Sequence, residues 1–398
     1  MAFNQYNFPT RIQYGPGAIG LLPGALKEAG RTRPLIVTDK GLAPLRPVTG
    51  AKKILDDAGL AAAVFAGVWG NPVKSQVTAG VDAYRTHGAD AIVAIGGGAA
   101  IDVAKAIALM IHHPGDLFDY EDEKPGARPI DQEIPTYMAV PTTAGTGSEV
   151  GRSTVISVDE THVKKIIFSP RLMAVRVFVD PELTLGLPAG ATAATRMDAL
   201  THLVESYLAK GFHPICDGIA LEGLRLVARN LGSCVDFARR IDQGERELVA
   251  NSDHLHARGM MLNAALMGGV AFQKGLGVTH SMAHALSTVA DLHHGLANGI
   301  CIPYAIAFNT AAVPGRLADL AGAVGVAADP GGFLKWLVDL KAQVGIPRTL
   351  QDAGVDRAHM DRLVDIAVHD ACHPNNPRPV TEPDFRRLFD RAFSGDLD

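Results

Sequence analysis

Asp198 and His202 stand four residues apart in TAATRMDALTHLVESY, and His280 and His284 repeat that interval in THSMAHAL. On a helix this interval puts each pair on one face, one turn apart. His293 and His294 follow in a glycine-flanked stretch, DLHHGLANG. One carboxylate and several imidazoles suit Fe2+, Zn2+ or a similar divalent ion. A lone histidine of this kind reads as a satisfied core residue. Two i, i+4 pairs and a further histidine site in the same half of the chain point instead to a metal.

A second stretch with chemistry in it is Gly96-Gly97-Gly98-Ala99-Ala100-Ile101-Asp102, which follows an apolar run and opens a helical one. Glycines at such a turn let the backbone approach a diphosphate, and the helix N-terminus offers free N–H groups and positive potential. The same glycines would also serve a plain strand-to-helix turn, and Ile101 breaks the GxGxxG pattern. Asp39 ends the run RPLIVTD. A carboxylate there either accepts from ribose hydroxyls and repels a 2′-phosphate, which favours NAD over NADP, or forms the turn. The loop Pro141-Thr142-Thr143-Ala144-Gly145-Thr146-Gly147-Ser148-Glu149 carries hydroxyl and backbone N–H donors for a phosphate or a nicotinamide amide.

These groups need elements to hold them. In the first half, short apolar runs alternate with helical stretches: Arg33–Asp39, Ala62–Phe65, Ala91–Ile95 and Tyr137–Val140 read as strands, and Val73–His87 and Ile101–Ile111 as helices. This βαβα rhythm predicts a parallel sheet with helices on its faces, and ligands bind outside the carboxyl ends of such strands. Asp39, Gly96–Gly98 and Thr142–Thr143 all fall at strand ends of that kind. The β-branched runs between Ser153 and Val179 add further strands. From about Ala191 the chain reads as successive helices. Its 398 residues exceed one ordinary core. The expectation is therefore an α/β nucleotide-binding domain over 1–184 and a helical metal-binding, catalytic domain over 185–398.

Composition narrows the class. The formal net charge of −5 and the absence of a basic patch argue against nucleic acid or a membrane surface as partner. Cys216, Cys234, Cys301 and Cys372 are scattered, which fits a reducing compartment. The N-terminus lacks the pattern of a secretory signal, and no apolar run is long enough to span a bilayer, so the cytoplasm is the expected location.

The motifs GGGAAIDVAK (96–105), PTTAGTGSEV (141–150), TAATRMDALTH (192–202) and GVTHSMAHALSTVADLHHG (277–295) together resemble the iron-containing, or group III, alcohol dehydrogenase family. Their order and spacing match from about residue 8 to 380. The resemblance implies a Rossmann-like parallel-sheet domain followed by an all-α domain, the architecture shared with dehydroquinate synthases. It implies hydride transfer between a small primary alcohol, or its aldehyde, and NAD(H) at a divalent metal. The family's four metal ligands fall on Asp198, His202, His280 and His294. The last is preferred to His293 because the family's third and fourth ligands are fourteen residues apart, as His280 and His294 are. His284 falls on a family histidine given a proton-relay role. Cofactor positions fall on Asp39, Gly97, Gly98, Asp102, Thr142, Thr143 and Lys165, and pocket-lining positions on Asn71, Ser153 and Cys372, with His373 as a further candidate. The cofactors implied are NAD and Fe2+, with Zn2+ accepted by the same ligands. Members commonly form dimers or larger assemblies, and Arg11–Tyr14 reads as a strand able to join a neighbouring copy's sheet.

Two departures concern the site. Ala99 stands where the family usually has serine, and Arg196 where it usually has glycine. Arg196 tempts an anionic-substrate reading. Two residues are about 200° of helix rotation, so its side chain should point away from the face of Asp198. Arg152 likewise should face opposite to its strand neighbour Ser153. Competing readings are a glycerol dehydrogenase-like or maleylacetate reductase-like enzyme of the same superfamily, and a non-catalytic NAD-binding protein.

Overall fold

A computed structural model describes residues 10–122 and 124–397. Two compact units are present. Among the described residues, one comprises 10–143 with Gly147–Thr184, and the other 185–397 with Ala144–Thr146.

The first unit is built on β1 (Arg11–Tyr14), β2 (Pro34–Asp39), β3 (Ala63–Val68), β4 (Ala91–Gly96), β5 (Thr136–Pro141) and β8 (Arg176–Val179), joined all-parallel in the order β1-β8-β5-β4-β2-β3. The central runs PLIVTD, AIVAIG and TYMAVP are apolar and almost wholly buried, as strands covered on both faces must be. Helices α1 (Leu22–Glu28) and α2 (Arg46–Asp57) place Leu26, Val48 and Leu55 in one core with Ile36, Val93, Met138 and Phe178. The alternate strand residues Leu35, Val37, Ile92 and Ala94 are equally buried. Helices α3 (Lys74–His87) and α4 (Gly98–Met110) pack with these strands and with each other. Because β2 is followed by β3 on one side and β4 on the other, the strand order reverses between β2 and β4. That switch point is where doubly wound sheets take their ligands.

Two readings of the sequence gain detail here. Arg11–Tyr14 pairs with the chain's own β8, Arg11 opposite Arg176 through Tyr14 opposite Val179, and is the edge strand of the sheet. The β-branched segment after Ser153 divides: β8 joins the main sheet, while β6 (Ser153–Ser157) and β7 (Lys164–Phe168) form a separate antiparallel pair.

The second unit holds α5 (Ala189–Leu208), α6 (Pro214–Asp242), α7 (Ser252–Ala271), α8 (Val278–Ala290), α9 (His294–Asn309), α10 (Pro314–Val324), α11 (Pro330–Val344), α12 (Met360–Val368) and α13 (Glu382–Ser394). From Arg196 to Leu208 every residue of α5 is buried. A helix covered all round is a core helix, and α6, α7 and α9 surround it. So the helix carrying Asp198 and His202 is the spine of the bundle. Among the described residues no helix is long and apolar enough to cross a membrane.

Candidate metal centre and dinucleotide cradle

Asp198, His202 and Glu205 lie at i, i+4 and i+7 of α5, one stripe of a 3.6-residue helix. His280, in the first turn of α8, and His294, the first residue of α9, are brought to that stripe. Asp198 Oδ1 is 3.9 Å from His280 Nε2 and 3.5 Å from His294 Nε2. These three residues each offer one ligand atom, and the atoms lie within 4.8 Å of one another. His202 stands beside this group rather than in it, with Nδ1 4.0 Å from Asp198 Oδ2 and its ring stacked on His280 at 4.6 Å between centroids.

Whether a metal suits these residues is tested by His202. Its Nδ1 is buried and finds no hydrogen-bond partner among the described residues. Burial pushes its pKa down to about 4 against the opposing field of Asp198, so the imidazole is neutral at pH 7, the form that ligates. A neutral imidazole with an orphaned nitrogen next to a carboxylate and two more imidazoles fits a divalent cation of the iron or zinc kind.

The supporting residues were harder to foresee. Glu205 accepts from the Gly277, Thr279 and His280 backbone N–H groups at 2.9, 2.6 and 3.3 Å, and pairs with His280 Nδ1 at 2.7 Å. One carboxylate thus caps the start of α8 and directs the other ring nitrogen of His280 toward Asp198, the usual way a metal-binding histidine is oriented. Burial alone would raise the Glu205 carboxyl. The His280 ring and the Thr279 and Gly277 donors outweigh it and hold it below the ordinary range. Asn298, fully buried one turn after His294, donates from Nδ2 to Asp198 Oδ1 at 2.7 Å. Gly295 makes the close approach of α9 to α5 feasible: a Cβ there would lie 2.3 Å from the Ala194 carbonyl oxygen. His293 precedes the helix, and its Nδ1 accepts from Leu296 N–H, which gives it the capping role and leaves His294 to face Asp198.

Next to this group, His284 Nδ1 pairs with Asp370 Oδ2 at 2.7 Å, and its ring stacks on His294 at 5.3 Å. Asp370 also accepts from Ser281 Oγ at 2.7 Å and from Cys372 N–H at 2.9 Å. Burial would raise this carboxyl, but the charge and hydrogen bond of His284 lead the groups that hold it well below the usual carboxylate range. His284, Asp370 and Cys372 form a second close cluster. His373 is turned away, its Nε2 on the Val368 carbonyl at 3.0 Å. Asp370→Asn should leave metal content unchanged and lower kcat more than KM, by about 10-fold or more, because an amide does not fix the histidine's protonated nitrogen as a carboxylate does. Steady-state kinetics beside metal analysis checks this; an unchanged kcat would remove Asp370 from any role toward His284.

In the α/β unit the three strand ends converge. Thr142 N–H donates to the Gly96 carbonyl at 3.0 Å. A Cβ on Gly97 would lie 3.1 Å from Thr143 Oγ1, and one on Gly96 would lie 3.6 Å from Asp39 Oδ2. Gly96 has φ +158°, and its Cβ would meet Ala100 Cβ at 2.7 Å, so glycine is needed for the turn into α4. Helix α4 begins at Gly98, three residues before the apolar pattern suggests, because Gly97 occupies the N-cap. Asp39 Oδ1 accepts from Leu42 N–H at 2.7 Å, closing its own turn, while Oδ2 faces the glycines.

Other candidates are engaged within the unit. Asp102 accepts from Ser148 Oγ and from Val155 N–H, linking α4 to the 141–149 loop and to β6. Lys105, fully buried, donates to Ser148 O, Ser148 Oγ and Ser153 O at 2.6, 2.9 and 2.8 Å. Burial lowers its pKa to about 8 against the fields of Asp102 and Glu149. This lysine was not foreseen, although it closes the GGGAAIDVAK motif. Lys165 pairs with Glu121 at 2.8 Å. Asn71 precedes Pro72, whose carbonyl accepts from Ser157 at one end of β6, whereas Ser153 begins that strand at the other. Arg152 lies over the Phe168 ring at 5.1 Å, and Arg196 bonds to Thr192 and Thr195 rather than toward the metal group.

Residues 9–181 match the family described as iron-containing alcohol dehydrogenase, and residues 192–393 match its companion, the C-terminal region of the Fe-containing alcohol dehydrogenase family. A 4-hydroxybutyrate dehydrogenase of Cupriavidus necator is 38% identical over 99% of this chain and 100% of its own. An NAD-dependent methanol dehydrogenase of Bacillus methanolicus is 34% identical, over 97% of this chain and 98% of its own. Among solved structures, a 1,3-propanediol oxidoreductase superposes with a TM-score of 0.90 at 35% identity, covering 98% of this chain and all of the other.

Proposed function

The chain belongs to the iron-containing alcohol dehydrogenase family, and we propose that it interconverts a small primary alcohol or diol and the corresponding aldehyde with NAD(H), using Asp198, His202, His280 and His294 to hold a divalent ion. The observation that carries this reading is the convergence of one carboxylate and two imidazoles from three different helices on one buried spot, with a third imidazole alongside. Such a set is costly to bury unless it binds something.

Bound there, an iron or zinc ion supplies Lewis-acid polarisation of an alcohol or carbonyl oxygen, and the dinucleotide supplies the hydride acceptor or donor. The chain's own part is positioning and proton handling. Glu205 and Asn298 fix the directions of His280 and Asp198. Asp370 holds His284 through Nδ1, which leaves Nε2 as the nitrogen that takes or returns the hydroxyl proton. Cys372 lies beside His284, and Cys372, Ser153 and Asn71 are kept as separate candidates for contact with the substrate. The glycine turn 96–98 offers the pyrophosphate its backbone N–H groups, Thr142 and Thr143 add hydroxyls, and Asp39 Oδ2 reads the ribose, with Asp102 and Lys165 as further cofactor contacts. We extend the reading to a homodimer or larger assembly working in the cytoplasm.

Enzyme reconstituted with Fe2+ or Zn2+ and assayed by NADH absorbance against short alcohols, diols and aldehydes tests the whole reading. Inactivity across that panel with metal bound would favour a non-catalytic NAD-binding role. Activity undiminished by exhaustive chelation would favour a maleylacetate reductase-like enzyme. Asp39→Gly should shift kcat/KM toward NADP by about 10-fold or more, since it removes a carboxylate that repels the 2′-phosphate. Comparing the two cofactors in steady state is the check; unchanged preference would mean Asp39 only forms its turn.

A further inference from the structure

The helical unit buries two guanidinium groups completely, Arg196 on α5 and Arg258 on α7. They are neighbours, because both use Thr192. Arg196 Nη1 donates to its carbonyl at 3.3 Å, and Arg258 Nη1 to its hydroxyl at 3.0 Å. The remaining bonds of Arg258 go to neutral groups, His254 Nε2 at 2.9 Å and the Leu187 carbonyl at 3.0 Å. Arg196 Nη1 also reaches Thr195 Oγ1 at 3.4 Å, but its Nε and Nη2 have no hydrogen-bond partner among the described residues.

Those two nitrogens carry the parallel N–H bonds of the guanidinium fork, the edge that clamps a two-point acceptor or straddles a single anion. Their shared lack of a partner therefore marks one missing group. Its charge follows from the surroundings. Arginine stays protonated, so two positive charges share a dry site. The acidic group whose field favours charged Arg258, besides the buried Cys234 thiol, is Asp242, which is exposed and already accepts from Ala189 N–H. Burial, then Arg196, pulls Arg258 down to about 9, and burial, then Arg258, pulls His254 down to about 4. A water would satisfy the fork's donors and leave both charges uncompensated, which a protein interior tolerates poorly.

We propose that Arg196 and Arg258 enclose a small monovalent anion, chloride or a species of similar size such as formate, as a structural ligand between α5 and α7. Asp198 and His202 lie on the same helix, so the anion steadies the element that carries half of the metal ligands.

The test uses the full-length, metal-loaded protein. Thermal unfolding is followed at constant ionic strength in chloride, bromide, formate or gluconate, the last too large for the site. The wild type should gain about 2 °C or more in Tm in the small anions over gluconate. Arg196→Met, which removes the fork and one charge, should lose that difference while unfolding no earlier than wild type in gluconate. Crystals grown in bromide should show an anomalous peak beside Arg196 Nε and Nη2, and a formate-shaped feature in formate medium would identify the oxyanion as the better occupant. Water alone at the fork in every medium, or an identical anion response in wild type and Arg196→Met, would overturn the proposal.

Discussion

His280→Ala is expected to leave the enzyme without bound metal after gel filtration and to lower kcat/KM by about 10³-fold or more, the scale on which metal Lewis acidity contributes to such reactions. The size of the effect comes from three losses at one residue. An imidazole that meets Asp198 and His294 disappears, and with it one of three mutually close ligand atoms. The Glu205 carboxylate keeps its backbone donors but loses its 2.7 Å ring partner. The ring of His202, stacked on His280 at 4.6 Å, loses its neighbour and the order that stacking gives it. His284→Ala is the control: it lies one turn further along α8 and outside the three-residue group. It should keep its metal and lose activity, because what it removes is a proton carrier. Metal content by atomic absorption, circular dichroism for fold and steady-state rates for both variants give the answer. Full metal and full rate in His280→Ala would require a different ligand set.

The contrast between those histidines shows what a sequence can and cannot convey. Asp198 with His202, and His280 with His284, were readable because a helix repeats every 3.6 residues and both partners lie in one short segment. The strand ends at Asp39, Gly96 and Pro141 were readable because fully buried parallel strands have an unbroken apolar signature. What was not readable depends on contacts distant in sequence. Glu205 stands at i+7 from Asp198 and so shares its stripe, but a glutamate in that position ordinarily faces water. Its role appears only when the start of α8, 75 residues later, closes over it. Asp370 is 86 residues from His284, and no local pattern joins them. Arg11–Tyr14 read as a strand, but its partner β8 begins at Arg176, and parallel pairing across that span leaves no turn to announce it. Arg196 follows the same logic. Its spacing from Asp198 predicted the opposite side of the helix, yet nothing in the spacing disclosed that this side is occupied by Arg258 on α7.

Glu205→Gln should weaken metal binding by about 10–100-fold while the protein still folds, the range seen when a hydrogen-bond partner behind a ligating histidine is neutralised. Four donors face this side chain, three backbone N–H groups and the His280 ring. A carboxylate accepts from all of them, whereas an amide turns an NH2 toward at least one, leaving a buried donor unsatisfied at a cost of about 1–3 kcal/mol. The ring is then free to swing, and His280 Nε2 is no longer aimed at Asp198. Competition with a chelator of known affinity measures the loss directly. Saturating metal should restore most of the rate in Glu205→Gln, whereas His280→Ala stays inactive, which separates an orienting residue from a ligand. The acid limb of stability offers a second readout. The folded carboxyl of Glu205 is held below its unfolded value. Its contribution is therefore complete above the ordinary carboxylate range and is lost as the pH falls through the folded value. The variant lacks that group, so its unfolding free energy should fall less steeply than wild type on acidification, from a lower plateau near neutrality. Equal chelator competition and parallel acid limbs in the two proteins would mean that the Glu205–His280 contact does no more than fill space.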